Sequence, residues 1–475
     1  MNTNLSRRRF LVTAGATAAV IAGRSVYDVD KVWAAAYTRR NLGGMAATDP
    51  VLVSYGKAIK AMKMLPGTDP LSWGYQAAIH GTTLPGGYTA WNTCEHGTHF
   101  FWSWHRMYLY WFERIIRKMS GDSSWALPYW DYNDASQRAL PAAFRDSSSE
   151  LYLMDRGFGW NTGAASFDPN RLDPSNGNLL TSFFDAQSSL EQQPHNHVHV
   201  DIGGAMGDPS TAAIDPVFFV HHSNIDRLWN LWLAQGGGRA DPLGDAAWRN
   251  NNYTFFDEKG QAVQMTACDI LRAAEQLNYI YEGEPSQVKE YCLKVPRFVL
   301  FLIVEVLIHW PGPPVELTGK DVTVELDIRQ FAQRLAPLAE SKTEQVFLEL
   351  KDVEAERSPG AAWDVYLGLP PNTVPTPDSP FRVGTVSLFS AGIRSKTHKQ
   401  FTPEHFEFRV NRAIAAAMRT NKEKLPLTFV PAGPLIDGKA SRAEVKAPVH
   451  IGAINISIGK VEKREGKEPE GPHQK

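Results

Sequence analysis

Residues 194–204 read PHNHVHVDIGG, with a histidine at every second position from His195 through His197 to His199. A strand would put all three on one face. A helix would stack His195 and His199 one turn apart and turn His197 away. The two conformations build different sites, and the local period alone satisfies both.

The other histidines narrow the chemistry. Nine of the 14 lie between His80 and His222. One cluster is His80, His96, His99 and His105; the other is His195, His197 and His199 with the pair His221-His222. Scattered histidines are usually surface or core residues, but two clusters that can each supply three imidazoles point to metal. No accompanying Asp, Glu or Cys set suits calcium, magnesium or a thiolate zinc site. All-imidazole ligation suits copper or zinc.

The clusters fall in a part of the chain that reads as helical, from Asp49 to about residue 235. Asp49-Pro50 predicts a capped start for a helix running through Met64. The aromatic-rich run HFFWSWHRMYLYWFERIIRKM, His99 to Met119, predicts a long helix stopped at Ser120-Gly121. Asp215-Pro216 opens another, VFFVHHSNIDRLWNLWLAQ, ending at Gly236-Gly237-Gly238. Next, YTFFDEKGQAV predicts a hairpin turning at Glu258-Lys259-Gly260. Beyond Val295 the runs DVTVELDI, QVFLELKDV, AAWDVYLGL, FRVGTVSLF, EHFEFRV, LPLTFVPA and PVHIGAINISI alternate with turn signals, as in a β-sandwich or barrel. The apolar stretch Val295 to Ile308 contains Arg297 and Glu305 and falls short of the roughly 20 residues a membrane span needs. It reads as buried strand.

A net charge of −2 over 475 residues gives no electrostatic footprint for nucleic acid or an anionic membrane. Three cysteines, Cys94, Cys268 and Cys292, are too few for a disulfide framework. The N-terminus, Ser6-Arg7-Arg8-Arg9-Phe10-Leu11 followed by VTAGATAAVIAG, resembles a twin-arginine export signal, with Ala34-Ala35-Ala36 as a cleavage site. That route carries folded proteins to the periplasm or the exterior, often with a cofactor in place.

H(x8)HRMYLYWFE, which includes Glu113, and PHNxVH followed by DPVFFVHHSNIDRLW resemble the two copper-binding regions of the tyrosinase and polyphenol oxidase family. Residues 250–285 resemble the linker domain of plant polyphenol oxidases. AAWDVYLGLP, RVGTVSLF and LPLTFVP with VHIGAINI resemble their C-terminal β domain. The resemblance implies a mainly helical dicopper domain with a four-helix-bundle core at 37–245 and a linker domain at 246–294. A C-terminal β-sandwich or barrel follows at 295–460, with a signal peptide at 1–36 and a charged disordered tail at 461–475. It also settles the opening stretch as helix. His80, His96 and His105 would hold one copper, and His195, His199 and His222 the other. His197 faces elsewhere, while His99 and His221 pack. Asp226 would orient an imidazole.

Further roles follow from the resemblance. Cys94, two residues before His96, matches the cysteine that fungal tyrosinases join to that histidine by a thioether. Glu191 and Asn196 match the pair that holds a water able to accept a phenol proton. The bulky aromatic that gates plant sites aligns near Pro209, which implies a more open entrance. The implied function is an exported oxidase of the type 3 copper class, using O2 to oxidise ortho-diphenols, and monophenols as a further class, to ortho-quinones. A catechol or ortho-aminophenol oxidase lacking monophenolase activity, and a haemocyanin-like O2 carrier, are the alternatives. The C-terminal domain would keep the enzyme latent, with cleavage between Glu284 and Val295 or at HWPGPP, and a separate protein could deliver copper.

Overall fold

Aromatic side chains at helical spacing shape the first half of the molecule. A computed structural model describes residues 36–84, 88–283, 299–338, 341, 344–376, 378–389, 403–419 and 423–463. The expected signal peptide and the Glu284–Val295 cleavage region lie outside these residues.

Three helices open the helical domain: α1 (Pro50–Lys63), α2 (Trp73–His80) and α3 (Phe101–Ser120). Short turns α4 (Ala142–Arg145), α5 (Pro169–Leu172) and α6 (Ser175–Leu179) lead to α7 (Phe183–Leu190), α8 (Asn196–Ile202), α9 (Val217–Ala234) and α10 (Ala246–Asn250). Asp49 caps α1 by accepting from the Val51 N–H at 2.9 Å, and Pro50 fills the first turn, where a missing N–H costs nothing. Gly121 ends α3 at φ +73°, a left-handed conformation that needs no Cβ. The start of α3 differs from expectation. His99 lies in the turn before the helix, its ring against Phe100 and Phe184.

Strand β1 (Tyr37–Arg39) and the two-residue β2 (Ala165–Ser166) belong to the same region, followed by the hairpin β3 (Asn252–Phe256) and β4 (Ala262–Thr266). Strand β5 (Tyr279–Tyr281) returns to pair with β1 in parallel. Its Tyr279 and Tyr281 and the hairpin's Tyr253 and Phe255 join the hydrophobic core of the helices.

The C-terminal part is a β-sandwich. Its strands are β6 (Val299–His309), β7 (Val315–Leu317), β8 (Val322–Asp327), β9 (Glu344–Glu354), β10 (Ala362–Leu367), β11 (Arg382–Ser387), β12 (Glu404–Arg409), β13 (Lys424–Ala432), β14 (Leu435–Ile436), β15 (Lys439–Ala440) and β16 (Val449–Lys463). One sheet runs β11-β10-β13-β8; the other runs β12-β9-β16-β6, with β7 also on β16. Two short helices, α11 (Ala332–Leu338) and α12 (Asn411–Ala417), pack on it. Strand β16 stays paired with β6 through Lys463↔Val299, which takes in the first three residues of the stretch expected to be tail.

Strand β10 shows how the two parts meet. All six of its residues are buried, which requires cover on both faces. Trp363, Val365 and Leu367 enter the sandwich core, while Ala362 joins the core of the helical domain. Asp364 on that outward face meets Arg171 of α5 at 3.3 Å, and Arg171 also reaches Asp201 of α8 at 3.2 Å. Burial alone would raise the Asp364 carboxyl, but Arg171 and Arg382 outweigh it and hold it below the ordinary range. A pair of two-residue strands, β2 and β14, adds a backbone seam between the domains.

Candidate metal centre

The six histidines expected to bind metal converge in one buried space between α2, α3, α8 and α9. His80 ends α2, His105 sits one turn into α3, His199 lies within α8, and His222 lies in α9. His195 is the residue before α8 and already has helical dihedrals. His195 and His199 therefore share a face, with ring centroids 4.6 Å apart. His197 points the opposite way, toward the charges of Arg171, Asp364 and Arg382.

Within the first set, centroids lie 5.1 Å apart for His80–His96, 5.1 Å for His96–His105 and 5.6 Å for His80–His105. Within the second, His195–His222 is 4.9 Å and His199–His222 is 5.4 Å. The sets abut: His105 stacks on His222 at 4.4 Å, and His96 lies 5.5 Å from His195. Donor atoms of His195, His199, His221 and His222 lie within 4.8 Å of one another, as do those of His80, His105 and His222. His222 thus stands within reach of both sets. His221 packs between His195, His199 and Tyr132.

Hydrogen bonding decides which ring nitrogen is free. Nδ1 of His80 donates to the Pro209 carbonyl (2.9 Å), that of His105 to Phe101 (2.8 Å) and that of His199 to Met206 (2.9 Å). Nδ1 of His195 meets Asn196 Oδ1 at 2.9 Å. A carbonyl oxygen only accepts, so the proton sits on Nδ1 and the Nε2 lone pair faces inward. Nε2 of His80, His105 and His195 is buried and meets no hydrogen-bond partner among the described residues. Burial keeps the imidazoles neutral, lowering His80 to about 4 and His195 to about 3. Nε2 of His199 lies 3.2 Å from Nε2 of His222. Only a proton or a cation there prevents two lone pairs from facing each other. Buried, neutral, inward-facing nitrogens without donors fit soft-to-borderline metal ions.

His96 is held differently. It sits on the irregular loop 93–97, and neither ring nitrogen has a hydrogen-bond partner among the described residues. Cys94 Sγ lies within 4.8 Å of the donor atoms of both His80 and His96. The loop itself is pinned on both sides. Glu191 Oε1 accepts from the Gly97 N–H at 2.7 Å, and Glu95 accepts from the Tyr253 hydroxyl at 2.9 Å. Burial, with smaller contributions from Glu404 and Glu95, pushes the Glu191 carboxyl well above its ordinary range against the Gly97 bond.

Asp226 corrects an expectation. Among the described residues its carboxylate meets no imidazole. It accepts from Arg106 Nε (2.5 Å), Arg39 Nη1 (3.1 Å) and the hydroxyls of Tyr279 (2.5 Å) and Tyr281 (2.6 Å). Burial would raise this carboxyl, but Arg106 and Arg39 bring it below the ordinary value. Arg39 also binds Glu113 at 2.7 Å. The cluster ties β1, α3, α9 and β5 together. A buried guanidinium claims the nearest carboxylate ahead of a neutral ring.

In the full chain the entrance expected to be open lies under other residues. The Pro209 loop packs on the centre, its carbonyl taken by His80, and the face of His199 is covered by Phe389 from the C-terminal domain. Phe389 is fully buried and stacks on His199 at 3.9 Å and 14°, with His96 and His195 each 5.7 Å away. The run RVGTVSLF contains this residue, but nothing in its own spacing marks the one aromatic that leaves its sheet.

Comparison with known proteins places these features. The common central domain of tyrosinase matches residues 70–167 and 164–235, and the polyphenol oxidase middle domain matches 243–290. A domain of unknown function matches 313–453. A tyrosinase of Hahella sp. (strain CCB-MM4), HcTyr1, is 37% identical over 297 residues, covering 51% of this chain and 63% of that protein. The latent form of a chloroplastic polyphenol oxidase from Prunus armeniaca is 28% identical over 380 residues, covering 67% and 61%. The chain thus spans less than two thirds of the length of these two relatives. Among solved structures, a recombinant latent aurone synthase (polyphenol oxidase) shares the fold with a TM-score of 0.61 at 22% identity, over 90% of each chain. Latent apple tyrosinase gives 0.58 at 21%, over 89% of this chain and 97% of that one.

Proposed function

Since this chain belongs to the tyrosinase and polyphenol oxidase family, we propose that it is a dicopper oxidase that uses O2 to convert ortho-diphenols, and also monophenols, to ortho-quinones. His80, His96 and His105 would hold one copper, and His195, His199 and His222 the other. When bound, the two metals together supply the two electrons that O2 takes up. The observation that carries this reading is the set of buried imidazoles whose Nδ1 atoms are held by oxygen and whose Nε2 atoms face inward without partners.

The protein's own residues have distinct tasks. Carbonyls of Pro209, Phe101 and Met206 fix ring orientation in advance, so little reorganisation remains when metal or substrate arrives. For His96, which has no such partner among the described residues, a thioether to Cys94 would take over that restraint. Asn196 fixes His195, and its proximity to Glu191 in sequence supports a water held between them that accepts the phenol proton. Phe389 occupies the aromatic-sized space on His199, which supports latency in the full chain. Arg7-Arg8-Arg9-Phe10-Leu11 supports export by the twin-arginine route.

The test is metal content and O2 uptake of the full chain and of Phe389→Ala on a monophenol and the matching catechol. Two coppers with uptake on both substrates is the expected result. Uptake on catechol alone would remove Glu191 and Asn196 from the mechanism. Reversible O2 binding without turnover would overturn the enzyme reading in favour of a carrier.

A further inference from the structure

A second metal-ligating cluster lies in the C-terminal sandwich, built on the paired strands β9 and β12. We propose that Glu349, His405 and Glu407 form a separate site for one divalent first-row transition cation of the Zn2+ or Cu2+ class. One donor atom from each lies within 4.8 Å of the others.

Strand register creates the site. Glu407 stands directly opposite Glu349 in the β12–β9 ladder, and like charges so placed destabilise a sheet. A register shift between Glu404 and Phe406 falls at His405; such bulges re-aim side chains and here bring the imidazole to the carboxylate pair. His405 and Glu407 are exposed, whereas Glu349 is only 1% exposed. Both donors that meet Glu349 take the same oxygen: Lys351 Nζ lies 2.9 Å and Asn455 Nδ2 3.3 Å from Oε2. Among the described residues no donor meets Oε1. Glu349, whose Oε1 lacks a donor among the described residues, stands with a second carboxylate and an imidazole, an arrangement a cation satisfies.

The surrounding charges agree. Partial burial, then Glu349 and Asp185, push the Glu407 carboxyl up to about 7, against Lys351 and Arg409. Asp352 adds further negative charge near His405. Lys351 is the built-in competitor, half-exposed on a flexible stem, and can swing off Oε2 when a metal enters. Asn455 would stay as the outer support of Glu349, itself fixed by His309 Nδ1 at 2.7 Å on Oδ1. An imidazole with two carboxylates favours transition metals over calcium, which takes six or more oxygens. The site adjoins the helical domain, since Gln192 Nε2 donates to the His405 carbonyl at 3.2 Å.

The site stands independently of the histidine centre, and the test keeps the two apart. The full chain, loaded with copper and washed, is titrated with Zn2+ by calorimetry, and separately with Cu2+ followed by EPR. Two adjacent Cu2+ ions couple magnetically and give no signal, whereas an isolated ion gives a spectrum split by one nitrogen. One further equivalent is expected in each titration. His405→Ala and Glu407→Gln should each weaken it by about tenfold or more, the range already typical for losing an outer support, and Lys351→Met should tighten it. The copper held before titration should be unchanged in all three. Absence of the extra equivalent, or equal binding in His405→Ala and Glu407→Gln, would overturn the proposal.

Discussion

His195 and His199 stand one turn apart on a helix, whereas His96 stands on an irregular loop, and each imidazole is restrained accordingly. The helical imidazoles draw on a backbone carbonyl and a neighbouring side-chain amide within their own or adjacent segments. The loop imidazole has no such partner among the described residues, and its loop is clamped from outside by Glu191 at Gly97 and by the Tyr253–Glu95 bond. The lesson is that a rigid scaffold fixes a metal ligand through local geometry, while a loop must import its rigidity from other parts of the chain. A covalent tether is the strongest import available.

The comparison can be broken at its strongest point first. His199→Ala removes a proposed ligand from the helix-borne set and should cut phenol oxidation by about 1,000-fold or more, the scale of losing several kcal/mol of metal assistance. Retained turnover on catechol would mean that the two sets do not act as one centre. Next, Asp226→Ala leaves buried Arg106 without a carboxylate and Arg39 with Glu113 alone, and should cost about 3–5 kcal/mol in a urea melt; a loss under about 1 kcal/mol would show that the cluster does not brace the helices carrying both sets. The third change sharpens the contrast itself. Cys94→Ser should lower copper retention by about tenfold, and the copper-matured wild type should weigh two hydrogens less than its formula by intact mass. An unshifted mass would return Cys94 to a packed thiol. Smallest, Phe389→Ala removes one ring stack of about 1 kcal/mol and should lower KM for small phenols by about fivefold with kcat nearly unchanged. An unaltered KM would assign any latency to the domain as a whole.

Much of this architecture is legible in the sequence because its signals are local. Caps at Asp49-Pro50, the glycine stop at Gly121 and the alternating runs of the sandwich each need only neighbouring residues to be read. The histidine spacings give the two clusters, and the resemblance to the family's copper-binding regions picks out the six residues that come together. What the sequence hides is contact across distance. Asp226 lies one turn beyond His222, which suggests an imidazole partner, but its actual partners Arg106 and Arg39 are 120 and 187 residues away. Phe389 is one apolar residue at the end of an ordinary strand pattern, and its place on His199 depends on how two domains dock. The helices α11 and α12 escape a β-type reading for a similar reason: each is seven residues long and fits between strands.

The pairing of β1 with β5 has a consequence for the order of synthesis. Arg39 and Tyr281 are 242 residues apart, yet they meet at 2.8 Å in the interior beside Asp226. Growing from the N-terminus at roughly 5–20 residues per second, the chain holds a buried arginine waiting many seconds for the tyrosines that cover it. The helices cannot be clamped, nor the imidazoles brought to final distance, until both ends of that span exist. A strand threaded through a narrow pore would part those ends at the moment they are needed. Export in the closed state, as proposed from the paired arginines, would keep them together.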